Sequence, residues 1–135
     1  MIDSEKEKIF DLLGKDEFAK LCNMKLVNVD HGTAIAEMEI IDSLKNGFGT
    51  IQGGALFTLA DFACAAASNS QGKRAVSLDA SITFIKAVKS GKVTATASEI
   101  FLRRTVAAYK VEIRDEENDL VAVFQSTAYR KEPKQ

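Results

Sequence analysis

Apolar and polar positions alternate along this chain with two different periods, and the change of period marks its elements. Ile9, Phe10, Leu12 and Leu13 form a helical stripe that Gly14 is placed to stop. Asp16 is placed to cap a second short piece that buries Phe18 and Leu21, so residues 5–22 are expected to form a short N-terminal helical region. The period then becomes two. Residues 24–29 and 34–41 read as strands around the turn signal Asp30-His31-Gly32. In the second strand Ile35, Glu37 and Glu39 alternate with Ala34, Ala36, Met38 and Ile40, which leaves one face wet.

Residues 42–53 are a loop rich in Gly, Asn and Ser. From Gly54 to Ser68 the pattern is apolar on nearly every side of a helix, and such a helix belongs in an interior. The second half returns to strands. Val76, Leu78, Ala80, Ile82 and Phe84 alternate with Ser77, Asp79, Ser81 and Thr83. Residues 93–102, 107–114 and 120–130 follow, with Ser90-Gly91 and Glu116-Glu117-Asn118-Asp119 as turns. Short connections predict an antiparallel meander, and the tail 131–135 is expected to fray. No linker or repeat divides the chain, so residues 1–135 read as a single domain. The expected class is α+β: one sheet wrapped around a central helix, with another subunit available to cover what the sheet leaves open.

Composition narrows the partners. The chain has 135 residues, 46% of them hydrophobic and 27% charged, which suits a packed core. The formal net charge of -1 argues against duplex nucleic acid as a partner but leaves room for a local basic patch that holds a phosphorylated ligand. No apolar run has membrane-spanning length, and the acidic start does not resemble a signal peptide, so neither membrane insertion nor export is expected. Cys22 and Cys64 are isolated and read as reduced apolar residues of a cytoplasmic protein. His31, the one histidine, reads as a solvated turn residue. With no cysteine cluster beside it, no metal site, nucleophile-His-Asp set or phosphate-binding loop can be assembled.

The chemistry concentrates between Asn46 and Asp61. Gly53 and Gly54 open the apolar helix, and N–H groups at a helix start can polarise a carbonyl oxygen. Asp61 lies two turns further on. It is either a buried acid bonded to Thr58 or backbone, or a base or nucleophile tuned by its apolar setting. Asn46 and Gln52 flank the loop and can hydrogen-bond a carbonyl or an attacking water, and Ser77 can orient that water. Gly54, Thr58, Asp79, Lys86 and Arg103 are the candidate substrate-binding residues. Gly54 and Asp61 are seven residues apart, about 10 Å along a helix at 1.5 Å per residue. Reacting atoms must come within about 3–3.5 Å. One carbonyl therefore cannot meet both from the same chain. Two antiparallel copies of the helix across a two-fold axis would bring them together, so a dimer with shared sites is expected.

The run Asn46-Gly47-Phe48-Gly49-Thr50-Ile51-Gln52-Gly53-Gly54, continued by Leu59-Ala60-Asp61, resembles the hotdog-fold acyl-CoA thioesterases of the phenylacetate-degradation type. The likeness extends through Ala67-Ser68-Asn69-Ser70 and Ala75-Val76-Ser77-Leu78-Asp79 and spans about residues 15–130. It implies a hotdog domain, hydrolysis of an aryl- or fatty acyl-CoA, and a homodimer commonly doubled to a homotetramer. CoA is part of the substrate, and no separate cofactor is implied. By resemblance Asp61 is nucleophile or general base and Gly53 N–H polarises the carbonyl from the other chain. Asn46 and Ser77 orient substrate and water, and basic side chains hold the CoA phosphates. Two departures stand out. Gln52 occupies the place of the usual His, and Lys86-Ala87 replaces the usual Arg-Pro. Glutamine can donate a hydrogen bond but cannot carry a proton near neutral pH, so a non-catalytic or very slow acyl-CoA binder is the alternative reading. A hotdog dehydratase needs a histidine in the motif, and His31 lies outside it.

Overall fold

The computed structural model describes residues 1–132. The elements run α1 (Asp3–Gly14), α2 (Glu17–Leu21), β1 (Met24–Asp30), β2 (Thr33–Glu39), a single 3-10 turn (Asp42–Leu44), α3 (Gly53–Asn69), β3 (Arg74–Phe84), β4 (Lys92–Leu102), β5 (Val106–Arg114) and β6 (Leu120–Lys131). The N-terminal region is two helices, broken where Gly14 and Asp16 were placed to break it. Gly14 ends α1, and the Asp16 carboxylate accepts from Ala19 N–H at 2.9 Å to cap α2. The expected burial on α2 is reversed. Ala19 and Cys22 face the core, while Phe18 and Leu21 are 57% and 74% exposed. One short helix can bury one face only, and α2 turns its small residues inward.

All six strands form one antiparallel sheet in the order β1-β2-β4-β5-β6-β3. The meander expected from short turns holds for β4, β5 and β6 but not for β3, which pairs with β6 at the sheet edge. The stretch from Ile85 to Gly91 crosses between the two positions instead of turning back. It is pinned by Ile85 N–H to Val121 O, Ile51 N–H to Val88 O and Ile40 N–H to Gly91 O, each 2.8 Å. The sheet curls around α3, whose Leu59, Ala60, Ala63, Ala66 and Ala67 are fully buried. The many alanines allow the strands to approach the helix closely. Met38, Val93, Val111, Ile113, Val121 and Phe124 close the core from the sheet side.

The far end of α3 is tied to the β1–β2 hairpin. Gly32 N–H donates to Ser70 Oγ at 2.9 Å, and His31 Nδ1 lies 3.1 Å from Ser70 O. Gly32 has φ +74, a turn conformation that a side chain disfavours. Asn69 Oδ1 accepts from Ala75 N–H at 3.0 Å and so fixes where β3 begins. The C-terminal end departs from expectation. Lys131 is still in β6, and Glu132 pairs with Lys73 at 2.8 Å. The rest of the expected frayed tail, 133–135, lies outside the described residues. Among the described residues no helix is long and apolar enough to cross a membrane.

Candidate active site

Asn46 organises the loop that delivers the chain to α3. Its Oδ1 accepts from Phe48 N–H at 2.9 Å and Thr50 N–H at 3.2 Å, and its Nδ2 donates to Thr50 Oγ1 at 3.0 Å. These bonds set the geometry of an Asx turn and leave one Nδ2 hydrogen unassigned. Phe48, at the loop tip, is 92% exposed.

Gln52 is the N-cap of α3, with extended backbone (φ -67, ψ 133). Its Oε1 accepts from Gly54 N–H at 3.0 Å. One of the two glycine donors expected at the helix start is therefore already engaged, whereas Gly53 N–H has no acceptor among the described residues. That N–H sits at the positive end of the helix dipole, next to a cavity of about 320 Å³ lined by Asn46, Thr50, Gly53, Leu56, Phe84 and Lys86. Gly53 also stands against the half-exposed ring of Phe84. A Cβ built there would lie 2.9 Å from Phe84 Cζ. A second groove of about 870 Å³, between α1 and the α3–β3 turn, contains none of the expected site residues.

Asp61 is half-buried on α3 and makes no ion pair among the described residues. Burial raises its carboxyl above the usual carboxylate range. The nearby Ser77 hydroxyl acts in the opposite sense, and the charge of Asp16 adds to the rise. Thr58 is not its partner: Thr58 Oγ1 donates to Gly54 O at 2.8 Å, back along its own helix. One turn beyond Asp61, burial and the Asp61 charge push the Cys64 thiol up to about 12. A thiol held there stays protonated at neutral pH and is no nucleophile.

Ser77 faces α3 because β3 carries a bulge. Opposed residues of an antiparallel pair share a face. The pairs Ala75↔Arg130 and Ser77↔Ala128 put Ser77 on the helix side, and Ala80↔Ser126, Ile82↔Phe124 and Phe84↔Ala122 put those residues there too. The register shifts between Ser77 and Asp79, with Leu78 as the extra residue. Strict alternation had grouped Ser77 with Asp79 and Val76 and Leu78 with Ala80. The bulge corrects both: the register puts Val76 and Asp79 on the outer face with Leu78 as the extra residue, while Ser77 is on the helix side and is itself exposed to solvent.

The candidate cations fare differently. Lys86 Nζ lies 2.6 Å from Asp115 Oδ2 and 2.7 Å from Asp119 Oδ2, and these two carboxylates raise its pKa. It staples the β3–β4 crossover to the β5–β6 hairpin and offers no free charge to a phosphate. Arg103 sits over the Phe101 ring at 5.8 Å and donates to Leu102 O, which leaves other N–H groups open. Ser126 and Phe84 stand beside the candidate residues Ser77 and Gly53 and were not among the expected ones. Ser126 had a sequence signal: it is the one hydroxyl in the inward row Ala122, Phe124, Ser126, Ala128. Phe84 had none, since its contact with Gly53 depends on how the sheet curls.

A six-stranded antiparallel sheet wrapped around one interior helix is the hotdog arrangement, and that helix carries a free N–H at its start and, among the described residues, a carboxyl without an ion-pair partner at its middle. The thioesterase superfamily model matches residues 48–122. The acyl-coenzyme A thioesterase PaaI of Escherichia coli is 34% identical over 116 residues, covering 85% of this chain and 83% of that protein. A solved structure of the E. coli PaaI protein from the phenylacetic acid degradation operon superposes with a TM-score of 0.88 at 30% identity, covering 94% of this chain and 96% of that one. A variant of the phenylacetic acid degradation protein PaaI from Thermus thermophilus gives 0.82 at 35% identity, covering 86% and 100%. The chain belongs to the thioesterase superfamily, as a hotdog thioesterase of the PaaI type.

Proposed function

We propose that this chain hydrolyses an aryl- or fatty acyl-CoA thioester to the free acid and CoA. The observation that carries the reading is the combination of Asp61, a half-buried carboxyl with no ion-pair partner among the described residues, with the Gly53 N–H at the start of the same helix, which has no acceptor among them either. The name of the E. coli relative, an acyl-coenzyme A thioesterase, supports the substrate class. Asp61 acts as general base on water or as nucleophile. Gly53 N–H receives the charge that develops on the thioester oxygen. Gln52 Oε1 is engaged by Gly54 N–H, so its Nε2 hydrogens remain for the substrate carbonyl. Ser77 orients the attacking water, and the remaining Asn46 Nδ2 hydrogen steadies the substrate. CoA leaves as a thiolate of moderate basicity and needs no strong acid behind it.

Because Gly53 and Asp61 are about two helical turns apart, each site is read as shared between two chains of a homodimer. A further doubling to a homotetramer fits the same reading. Arg103 is the better candidate for a CoA phosphate, since Lys86 is held by Asp115 and Asp119. Buried free cysteines support a cytoplasmic location.

The test is a panel of benzoyl-, phenylacetyl- and fatty acyl-CoA substrates with a free-thiol readout. Turnover is expected, and Asp61→Ala is expected to lower it by at least about a hundredfold. Activity in the variant equal to wild type would remove the reading. A second reading, a very slow acyl-CoA binder, is favoured by one observation: Gln52 caps the helix with the group that stands where a titratable side chain is usual. Calorimetry with acyl-CoA separates the two. Tight binding without turnover, with a rate gained in Gln52→His, supports the binder.

A further inference from the structure

We propose that Ser126 is a positioning residue that fixes the β3 bulge and thereby aims the Ser77 hydroxyl at Asp61. The inference rests on the catalytic reading of Asp61. Ser126 is 1% exposed and stands on the helix side of β6, opposite Ala80. Its Oγ donates to Asp79 O at 2.8 Å, the carbonyl just past the bulged residue. Bulges interrupt the strand ladder, and a side-chain donor here supplies what the ladder does not.

Proton counting gives the functional consequence. A serine hydroxyl has one proton to donate. Ser126 Oγ lies 3.5 Å from Ser77 Oγ but 2.8 Å from Asp79 O, so the shorter bond takes its proton. The proton of Ser77 then remains free to point at Asp61. Without Ser126, the Asp79 carbonyl loses this donor, and the Ser77 hydroxyl, next to it on the same face, can take its place. The bulge would relax, and the Ser77 proton would turn away from the carboxyl.

A kinetic cycle on the intact protein tests this, with benzoyl-CoA and hexanoyl-CoA as substrates. Ser126→Ala should lower kcat about three- to tenfold, the worth of one net hydrogen bond, with KM changed less than about twofold. Ser77→Ala should lower kcat at least as much. The double variant should match Ser77→Ala alone, because Ser126 acts only through Ser77. Ser126→Thr keeps the oxygen and should retain most of kcat, while Ser126→Cys keeps the shape with a weak donor and should track Ser126→Ala. Wild-type kcat in Ser126→Ala, or losses that multiply in the double variant, would overturn the proposal. So would an equal loss in Ser126→Thr and Ser126→Ala. A fully active Asp61→Ala would instead remove the catalytic reading beneath it, so the two failures are distinguishable.

Discussion

Asp61 shows how one side chain ties stability to activity. Its carboxyl is raised chiefly by burial, with Asp16 adding to the rise and Ser77 opposing it. A raised folded-state value means that the folded protein holds this proton more tightly than the unfolded chain. The stability this contributes is complete below the ordinary aspartate value and is lost as pH rises through the folded value. Asp61→Asn should therefore raise Tm at neutral pH, and the gain should vanish at acidic pH where the native residue is protonated. Thermal melts across pH check this; a gain that is the same at every pH would contradict it. The acid limb of kcat/KM should stand above the usual carboxylate range and should move down in Asp16→Asn, since that charge raises Asp61. The groups whose charge or hydroxyl acts on the Asp61 carboxyl are Asp16 from the α1–α2 junction and Ser77 on β3, and the Cys64 thiol is neutral throughout this range. At this scale the sequence was readable where chemistry is local. An acid in an apolar helix, glycines at its start and Gln52 at the cap are all near neighbours along the chain. Ser126 escaped because its role depends on register with β3.

At the scale of elements, α3 was readable nearly end to end, because an all-apolar helix has only one place to go. The strands were readable to within a few residues. Their faces and order were not. One extra residue, Leu78, reverses which side chains of β3 meet the helix, and a period-two pattern continues through it unmarked. The crossover from Ile85 to Gly91 likewise carries a turn signal, yet its length lets β4 pair with β2. The junction of β3 with the start of α3 makes a prediction of its own. The half-exposed Phe84 ring lies where a side chain at Gly53 would point. Gly53→Ala should destabilise the protein by up to about 1 kcal/mol, because the exposed Phe84 ring has to turn aside to admit the methyl group. In a Phe84→Ala background the same change should have much less effect, and chemical denaturation of the four variants measures the coupling. Additive losses would show that the ring is not the obstacle.

The whole molecule has an unfinished edge. β3 ends the sheet with its outer side unpaired, and Val76 and Leu78 stand exposed along it. An open strand with apolar side chains is a template for a second strand, and under the proposed two-fold reading a second copy of β3 is one partner that could complete it. The shared-site reading then yields a test by mixing. Gly53 is the first residue of α3 after the Gln52 cap, a position where proline is tolerated and where it removes only the N–H. Gln52 already has the extended backbone that a following proline demands. Gly53→Pro built with Phe84→Ala, which opens the space for the ring, deletes the carbonyl donor. Asp61→Asn, built in the same Phe84→Ala background, deletes the base. Each homodimer should be nearly inactive. After unfolding and refolding together, about half the dimers should contain one chain of each kind, and each of those has one intact site and one doubly defective site. Activity should return to about a quarter of the level of Phe84→Ala alone, as half the dimers each carry half their sites. If donor and base served one carbonyl from the same chain, no mixture would contain an intact site, and the activity would stay at the level of the parents.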